Sequence, residues 1–514
     1  MTAPRQSPRR PPGRRTAPPP RGPGRELRRL PVLVVLAGCI AVAIALAVSG
    51  GSTAAPGTTP AGSPIAAALP TVPEPTAASA TWYCAEGTGS PGGRADETIW
   101  IANVGDVDAR ADVTVMPGGT QKPASRRVTV RKGGQVRLPV SSVLEAPEQP
   151  DEAGNLVGSG VVVEVFGGRA IVEHEIEAQD DVAVGPCARS AGRDWYFTAG
   201  TTERGADQYA ALFNPFADDA IIDVTFATDA GHVAPADLQS LVVPRRSRLT
   251  VPIGNFVRRQ AQVGTHVHVR SGRVVAEQSL AFTTDNETRH GITLSLGAPS
   301  PASSWTIPGV LPEDGASHAV LVANFGTNST EVEVAPRFEG QSGVSGSTTP
   351  VGGQSAVVVD LSPLGASGSP FGFTVRTTRP GPVVAEELAS WTSPSPGAGA
   401  ATALGAPVAA RGWAFAMGRI TPESGCTISV VNPGRSPTTV RLVTTGSGGA
   451  DGSTGANELP VPAGKEVTFE LATLGVAPDQ VVSVRADAPV IALRRILGPS
   501  TASLALGVAD PEAG

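Results

Sequence analysis

THVHVRSGRVVAEQSLAF, from Thr265 to Phe282, sets the reading of the whole chain. Val267 and Val269 alternate with His266, His268 and Arg270, a period of two that belongs to a strand with one buried face. Arg270-Ser271-Gly272-Arg273 supplies turn residues before a second apolar run, Val274 to Phe282, and the pattern predicts a tight hairpin. Tyr209 to Phe213 closes at Asn214-Pro215, and Ile221 to Phe226 is rich in β-branched residues. Leu238 to Val243, Arg248 to Ile253 and Ile292 to Leu296 are further short strands between turn signals, and Ala206 to Leu212 is too short to argue for a helix. Many short strands in roughly 110 residues describe a seven- or eight-stranded antiparallel sandwich.

The same grammar occurs four times. Trp82, Trp195, Trp305 and Trp413 stand 113, 110 and 108 residues apart. Each is followed by an apolar run that ends in Asn: Asn103, Asn214, Asn324 and Asn432. Further on comes a run resembling Val-Val-Ala-Glu, at Ile171 to Glu173, Val274 to Glu277, Val383 to Glu386 and Val490 to Leu493. A period this long copies a whole domain and not a solenoid turn. The expected fold is all-β, with four tandem immunoglobulin-like antiparallel β-sandwich modules at 82–189, 190–302, 303–411 and 412–510. Aligning the copies matches Val163, Val267, Phe373 and Val482, and likewise Val165, Val269, Val375 and Val484, as core positions. Glu164, His268, Thr374 and Ser483 alternate with them and are expected to face outward. Each leading Trp is read as a buried ring at the bottom of its sandwich, or as a plug between modules, in preference to a sugar platform.

Residues 1–29 carry nine Arg, one acid (Glu26) and many prolines, and are expected to form a disordered basic cytoplasmic head. Leu30 to Ser49 is uncharged, and about 20 such residues are what a helix needs to cross a bilayer. Arg25, Arg28 and Arg29 precede this transmembrane helix and no basic residue follows before Arg94, which orients the N-terminus to the cytoplasm and exports the rest. Two other readings share the run. Ala45-Leu46-Ala47 offers a cleavage site for a signal peptide. Leu36-Ala37-Gly38-Cys39 spells a lipobox, but the apolar run continues beyond Cys39, as it would around a Cys packed in a helix. Residues 50–81, rich in Ala and Pro with Glu74 as the single charge, are expected to be an extended linker, with a reach of roughly 100 Å as polyproline II.

Charge excludes one class of partner. Of 40 basic and 46 acidic residues, the head holds nine and one, so the remainder carries 31 and 45, a net of −14. Phosphate backbones demand clustered Lys and Arg, so no nucleic acid is expected, while the basic head suits anionic lipid. Only Lys122, Lys132 and Lys465 are lysines. Four cysteines are too scattered for a zinc site of paired Cys. Cys84 and Cys187 open and close one module and are expected to pair as a disulfide; Cys426, inside the strand Cys426 to Val431, is left over as a small buried residue.

Catalytic signatures are absent: no Gly-x-Ser-x-Gly elbow, no His-Glu-x-x-His, no phosphate loop. His266 and His268 project from one strand face as a metal-gripping pair would, but no carboxylate or thiol lies near them in sequence, and a solvated pair is the expectation. Glu173, Glu277 and Glu386 share one repeated position without a second acid at a matching offset, so a structural role is expected. Asp151-Glu152 and Asp180-Asp181 are loop acids without an alternating calcium loop. Gly158-Ser159-Gly160 and Gly446 to Gly449 read as flexible loop glycines, and Asn286 and Asn328 begin glycan-acceptor triplets. Trp100 lies between the inward positions Ile99 and Ile101, and so is expected to point outward as the one candidate ligand-binding ring, or to be covered by the loop Ala146 to Asn155.

Basic head, single span, Pro-rich stalk and Trp-led β-modules together resemble an actinobacterial family of uncharacterised membrane-anchored secreted proteins. The resemblance implies location and adds no catalytic residue. The expectation is a single-pass cell-membrane protein, not an enzyme, with no cofactor and no metal. It would bind or scaffold an envelope protein or glycan outside the membrane. A carbohydrate-binding module array serving wall glycan assembly is the first alternative, and a hydrolase the second.

Overall fold

Alternation of buried and exposed residues drives nearly every element of the computed structural model into strands. It describes residues 64–513 apart from 90–93, 120, 149–157, 179–180, 284, 287–288, 311–314, 339–345, 364–369, 392–398, 417–424, 447–456, 478–479 and 499–500. The head, Leu30 to Ser49 with its lipobox and cleavage readings, Asp151-Glu152, Asp180 and Ser447 to Gly449 lie outside the described residues. Among those described, no helix is long and apolar enough to cross a membrane.

The first copy comprises β1 (Ser79–Cys84), β2 (Asp96–Asn103), β3 (Ala109–Pro117), β4 (Ala124–Val130), β5 (Gln135–Pro139), β6 (Ser159–Phe166), β7 (Ala170–Ala178) and β8 (Asp181–Pro186). They form two sheets, ordered β1-β6-β3-β4 and β5-β2-β7-β8. Copy two follows with β9 (Asp194–Phe197), β10 (Ala206–Asn214), β11 (Ala220–Thr228), the short β12 (Gly231–Val233) and β13 (Leu241–Val243), β14 (Ser247–Pro252), β15 (Val263–Ser271), β16 (Val275–Phe282) and β17 (Gly291–Leu296). Its orders are β9-β15-β11, with β12 and β13 on β11, and β14-β10-β16-β17. Copy three has β18 (Ser304–Val310), β19 (Ala316–Asn324), β20 (Thr330–Phe338), β21 (Ser347–Val351), β22 (Ser355–Asp360), β23 (Phe371–Thr377), β24 (Val384–Trp391) and β25 (Gly399–Leu404), ordered β18-β23-β20-β21 and β22-β19-β24-β25. Copy four has β26 (Ala410–Phe415), β27 (Gly425–Val431), β28 (Thr438–Thr445), β29 (Asn457–Val461), β30 (Glu466–Glu470), β31 (Val481–Gly498), β32 (Thr501–Leu506) and β33 (Val508–Asp510). There β31 is long enough to serve both sheets, pairing with β26 and β28 at one end and β27 and β32 at the other. One pairing scheme therefore underlies all four copies, and their ladders are antiparallel.

The predicted hairpin at Arg270 to Arg273 is instead an arch. β15 pairs with β9 and β11, whereas β16 pairs with β10 and β17, so the two strands enter opposite sheets. Gly272, at φ 84°, makes the turn, but β16 is buried along its whole length and needs partners on both of its edges and both of its faces. The aligned core positions fill the interiors: Val163, Val267, Phe373 and Val482 are wholly buried, as are Val165, Val375 and Val484, and Val269 is nearly so. Thr374, expected outside, is covered by Thr306 and Arg337, which both bond its hydroxyl.

The four Trp side chains are buried, and three of their indole N–H groups donate to the carbonyl at the arch of their own copy: Trp195 to Val274, Trp305 to Val383 and Trp413 to Val490. The repeated Asn has one job in every copy. Asn214 Nδ2 donates to the carbonyls of Asp218 and Val243 while its Oδ1 accepts from the N–H of Phe216. Asn103, Asn324 and Asn432 hold their own turns in the same way. Both shared residues satisfy buried backbone groups that would otherwise cost free energy.

Residues 64–81 correct the expectation of a linker running to 81. Pro64–Ala68 is a short helix, α1; Leu69 and Val72 are buried, Val72 N–H donates to Ala509 O at 2.8 Å, and β1 already begins at Ser79. Composition rich in Ala and Pro conceals two large apolar side chains that find a docking groove.

Candidate functional site

The copies close into a ring, and much of the buried charge among the described residues lies in its seams. Three of the four seams are built from the end of one copy's first strand and the repeated glutamate of the next. Glu277 Oε2 accepts the N–H groups of Ala85 and Glu86 at 2.8 and 2.6 Å. Glu386 Oε2 accepts those of Thr198, at 2.9 Å, and Ala199. These are equivalent positions, three and four residues after the leading Trp.

The third seam departs from this pattern for a stereochemical reason. Pro308 occupies the position of Ala85 and Thr198 and has no N–H to give. The facing residue is Leu493, not Glu, and the one remaining donor, Gly309 N–H, is taken by Glu466 at 3.1 Å. The fourth seam returns to the first copy: Glu173 lies against the backbone of Ala416 and receives Arg494 Nη1 at 2.8 Å. Burial raises the Glu173 carboxyl above its usual range, with Arg494 pulling it back. The repeated glutamates thus bond to neighbouring backbone, as expected of a structural role, across 192 residues at Glu277 and 188 at Glu386, and the Arg494–Glu173 side-chain pair spans 321.

The first seam holds most charge. Glu86 is fully buried and meets Arg248 and Arg94, both at 2.7 Å, with Ser279 donating at 2.9 Å. Burial pushes its carboxyl up, but Arg248 and Arg94 outweigh it and hold it down at about 2. Beside it His174 sits 3.0 Å from Glu97 and 3.4 Å from Glu277. Burial would lower this imidazole; the two carboxylates overcome that and raise it to about 10, while burial raises Glu97 to about 7. Gly160 belongs to this seam too, for a Cβ there would lie 2.2 Å from the ring of Phe213 in copy two. Gly158-Ser159-Gly160 is therefore not the loose loop expected: Ser159 and Gly160 open β6 against a neighbour.

The last strands of the copies, β8, β17, β25 and β32, pack in turn around a central axis. Ser503 Oγ bonds both Val184 N–H and Val184 O, and Ser295 meets Thr402 at 2.9 Å. Asp181 stands at one end, buried, accepting N–H groups from Val182, Ile292 and Ala502 at 2.8, 3.0 and 3.0 Å. Burial raises it to about 7, and the acid expected in a loop is a brace between three copies. At the other end Leu69 and Pro70 cover an apolar cavity of about 50 Å³ lined by Pro186, Leu296, Leu404 and Leu506, one residue from each copy.

Trp100 requires a correction. It does point out of its own sandwich, but it is only 8 % exposed, donates Nε1–H to Glu175 at 3.1 Å and lies beneath Arg137. It belongs to the hydrophobic cluster that also takes in Ala414 and Ala416 of copy four, and it is no open platform; most of the loop Ala146 to Asn155, the other expected cover, lies outside the described residues. Cys84 and Cys187 are joined by a disulfide, and Cys426 is buried with its thiol pushed up to about 12 by desolvation. His266 and His268 remain on an outer face, but they are joined there by Asp194 of the neighbouring strand, a carboxylate that sequence proximity did not reveal.

A model of a family described as "Family of unknown function (DUF5719)" matches residues 181–419, from the start of β8 through copies two and three to just past β26. No curated protein matches the chain. Seven solved chains match, among them that of "Crystal Structure of Thermotoga maritima 1070", 16 % identical, aligned over 21 % of this chain and 94 % of that one with a TM-score of 0.19. At that score the likeness carries no argument.

Proposed function

We propose that the chain is a non-catalytic scaffold of the cell envelope, made of four immunoglobulin-like sandwich modules and anchored by Leu30 to Ser49 with the modules outside the membrane. The boundaries are those of the sequence repeats, with the first module extended to include β1 and the docked segment from α1. One observation supports the reading above the others. The residues the copies share, Trp, Asn and Glu, are spent on buried backbone within copies and across seams. Such a body offers a rigid exterior and no repeated reactive side chain. Its partner is an envelope protein or glycan held by surfaces that differ between copies. The acidic exported part and the uncharged run behind three arginines support the address. The test is protease accessibility of the full chain in oriented membrane vesicles, followed by recovery of bound envelope components. Digestion of residues 82–514 only from the non-cytoplasmic side is expected. A chain recovered wholly in the soluble fraction overturns the anchoring, and turnover of wall glycan by the purified chain overturns the non-catalytic role.

A further inference from the structure

We infer that Asp194, His266 and His268 form a binding site for a divalent transition cation of the zinc class, private to the second copy. The register of β9 on β15 places Asp194 opposite His268 and Tyr196 opposite His266, so all four side chains share one outer face. Asp194 Oδ1 lies 2.8 Å from His268 Nδ1 and 3.0 Å from His266 Nε2. The three ligand atoms lie within 4.8 Å of one another, and modest side-chain rotations bring them to the separation of about 3.4 Å at which a tetrahedral ion holds nitrogen and oxygen donors. Two imidazole nitrogens and one carboxylate oxygen are the donors such ions prefer, and they leave a fourth position open to solvent.

Two further observations favour a built site over a chance meeting. The His266 ring is fixed, stacked on Tyr196 at 4.2 Å with 9° between planes, and walled by Phe325 of copy three at 5.9 Å. The positions are also exceptional within the repeat. Asp194 corresponds to Thr81, Ser304 and Gly412; His266 to Val162, Gly372 and Val481; His268 to Glu164, Thr374 and Ser483. None of the other copies carries even one His there, so the common packing scheme does not account for the trio. A bound ion would tie the edge strand β9 to β15 beside the seam with copy three.

The experiment uses the full chain without a histidine tag. Co²⁺ is titrated by its visible spectrum, and Zn²⁺ competition is followed by calorimetry. One tight equivalent is expected, with absorption bands of a low-coordinate Co²⁺ site. Asp194→Asn and the pair His266→Gln with His268→Gln should each weaken binding, the pair by about 100-fold, because two of three protein ligands are gone. His232→Gln, on β12, should change nothing. The side chains are partly exposed, so the variants keep the fold, which far-UV circular dichroism checks. Absence of a tight equivalent in the parent chain, or equal affinity in the parent and the double His variant, overturns the inference.

Discussion

Replacing Glu386 by Leu isolates what a seam glutamate does. Leu is the residue copy four already carries at this position, as Leu493, so the side chain itself fits the scheme. In copy four, however, Pro308 has removed one donor and Glu466 serves the other. At Glu386 both donors remain, from Thr198 and Ala199, and neither has a substitute acceptor. Two buried N–H groups left unpaired cost about 1–3 kcal/mol each, together about 2–6. The new apolar side chain recovers about 1–2 kcal/mol by burial. The net loss is about 0–5 kcal/mol with a centre of about 2.5, local to the seam between copies two and three, and the centre corresponds to a roughly 70-fold larger open population. Amide hydrogen exchange at Thr198 and Ala199 reads this directly, which avoids assuming one cooperative transition for a chain of several units. Glu386→Gln keeps an oxygen acceptor and should lose less. Exchange at the two amides within two-fold of the parent in Glu386→Leu would refute the view that the glutamate is there to serve them.

Other seams allow tests of different kinds. Gly160→Val drives a side chain into Phe213 and should cost about 1–3 kcal/mol in thermal stability, with Phe213→Ala restoring part of the loss if the clash is the cause. Arg494→Met leaves Glu173 buried without its cation, a loss of about 3–5 kcal/mol, visible as new protease cuts at the seam between copies four and one; an unchanged digest means that this pair does not close the ring. The pH dependence has a definite sign. His174 is raised to about 10, so its contribution is whole below its unfolded value near 6.5 and fades as pH climbs toward 10. Glu97, raised to about 7, likewise favours the protonated side and loses stability as pH rises from its unfolded value through 7. Urea midpoints at constant salt should therefore fall between pH 6 and 10, and His174→Gln should flatten the slope; a midpoint that rises over that range contradicts the assignment. Glu86, held at about 2, acts oppositely and loses its contribution only as pH drops from its unfolded value toward 2.

The strand pattern is legible in the sequence because its signals are local. Alternation along Thr265 to Arg270 and the Trp-to-Asn spacing state which way a side chain points relative to its own sheet. They do not state what lies on the other side. Trp100 does aim out of its sandwich, yet it is buried there, bonded to Glu175 and covered by Arg137. The arch at Gly272 uses hairpin residues, because a turn's backbone is indifferent to whether the next strand joins the same sheet. Leu69 and Val72 are lost among Ala and Pro, although two apolar side chains suffice when a groove already exists for them. Asp194 stands 72 residues before His266, and only the β9–β15 register brings the carboxylate to the imidazoles.

Closure explains why the last copy differs from the others. A row of four open-ended units would leave the first copy's glutamate and the last copy's outer face in water, where neither needs a partner. Here Glu173 is buried, and an arginine that no other copy carries at its position reaches it from 321 residues away. Copy four thus meets two distinct demands, an apolar contact where Pro308 has withdrawn a donor and a cation where the chain returns to its start. Leu493 and Arg494, adjacent in β31, answer them in turn, with Leu493 beside Gly309 and Arg494 on Glu173. The departures from the repeat at these two residues are what the geometry of a ring requires of its final member. The departures at Asp194, His266 and His268 answer no such requirement, and the donor set they make on one outer face is what sets copy two apart.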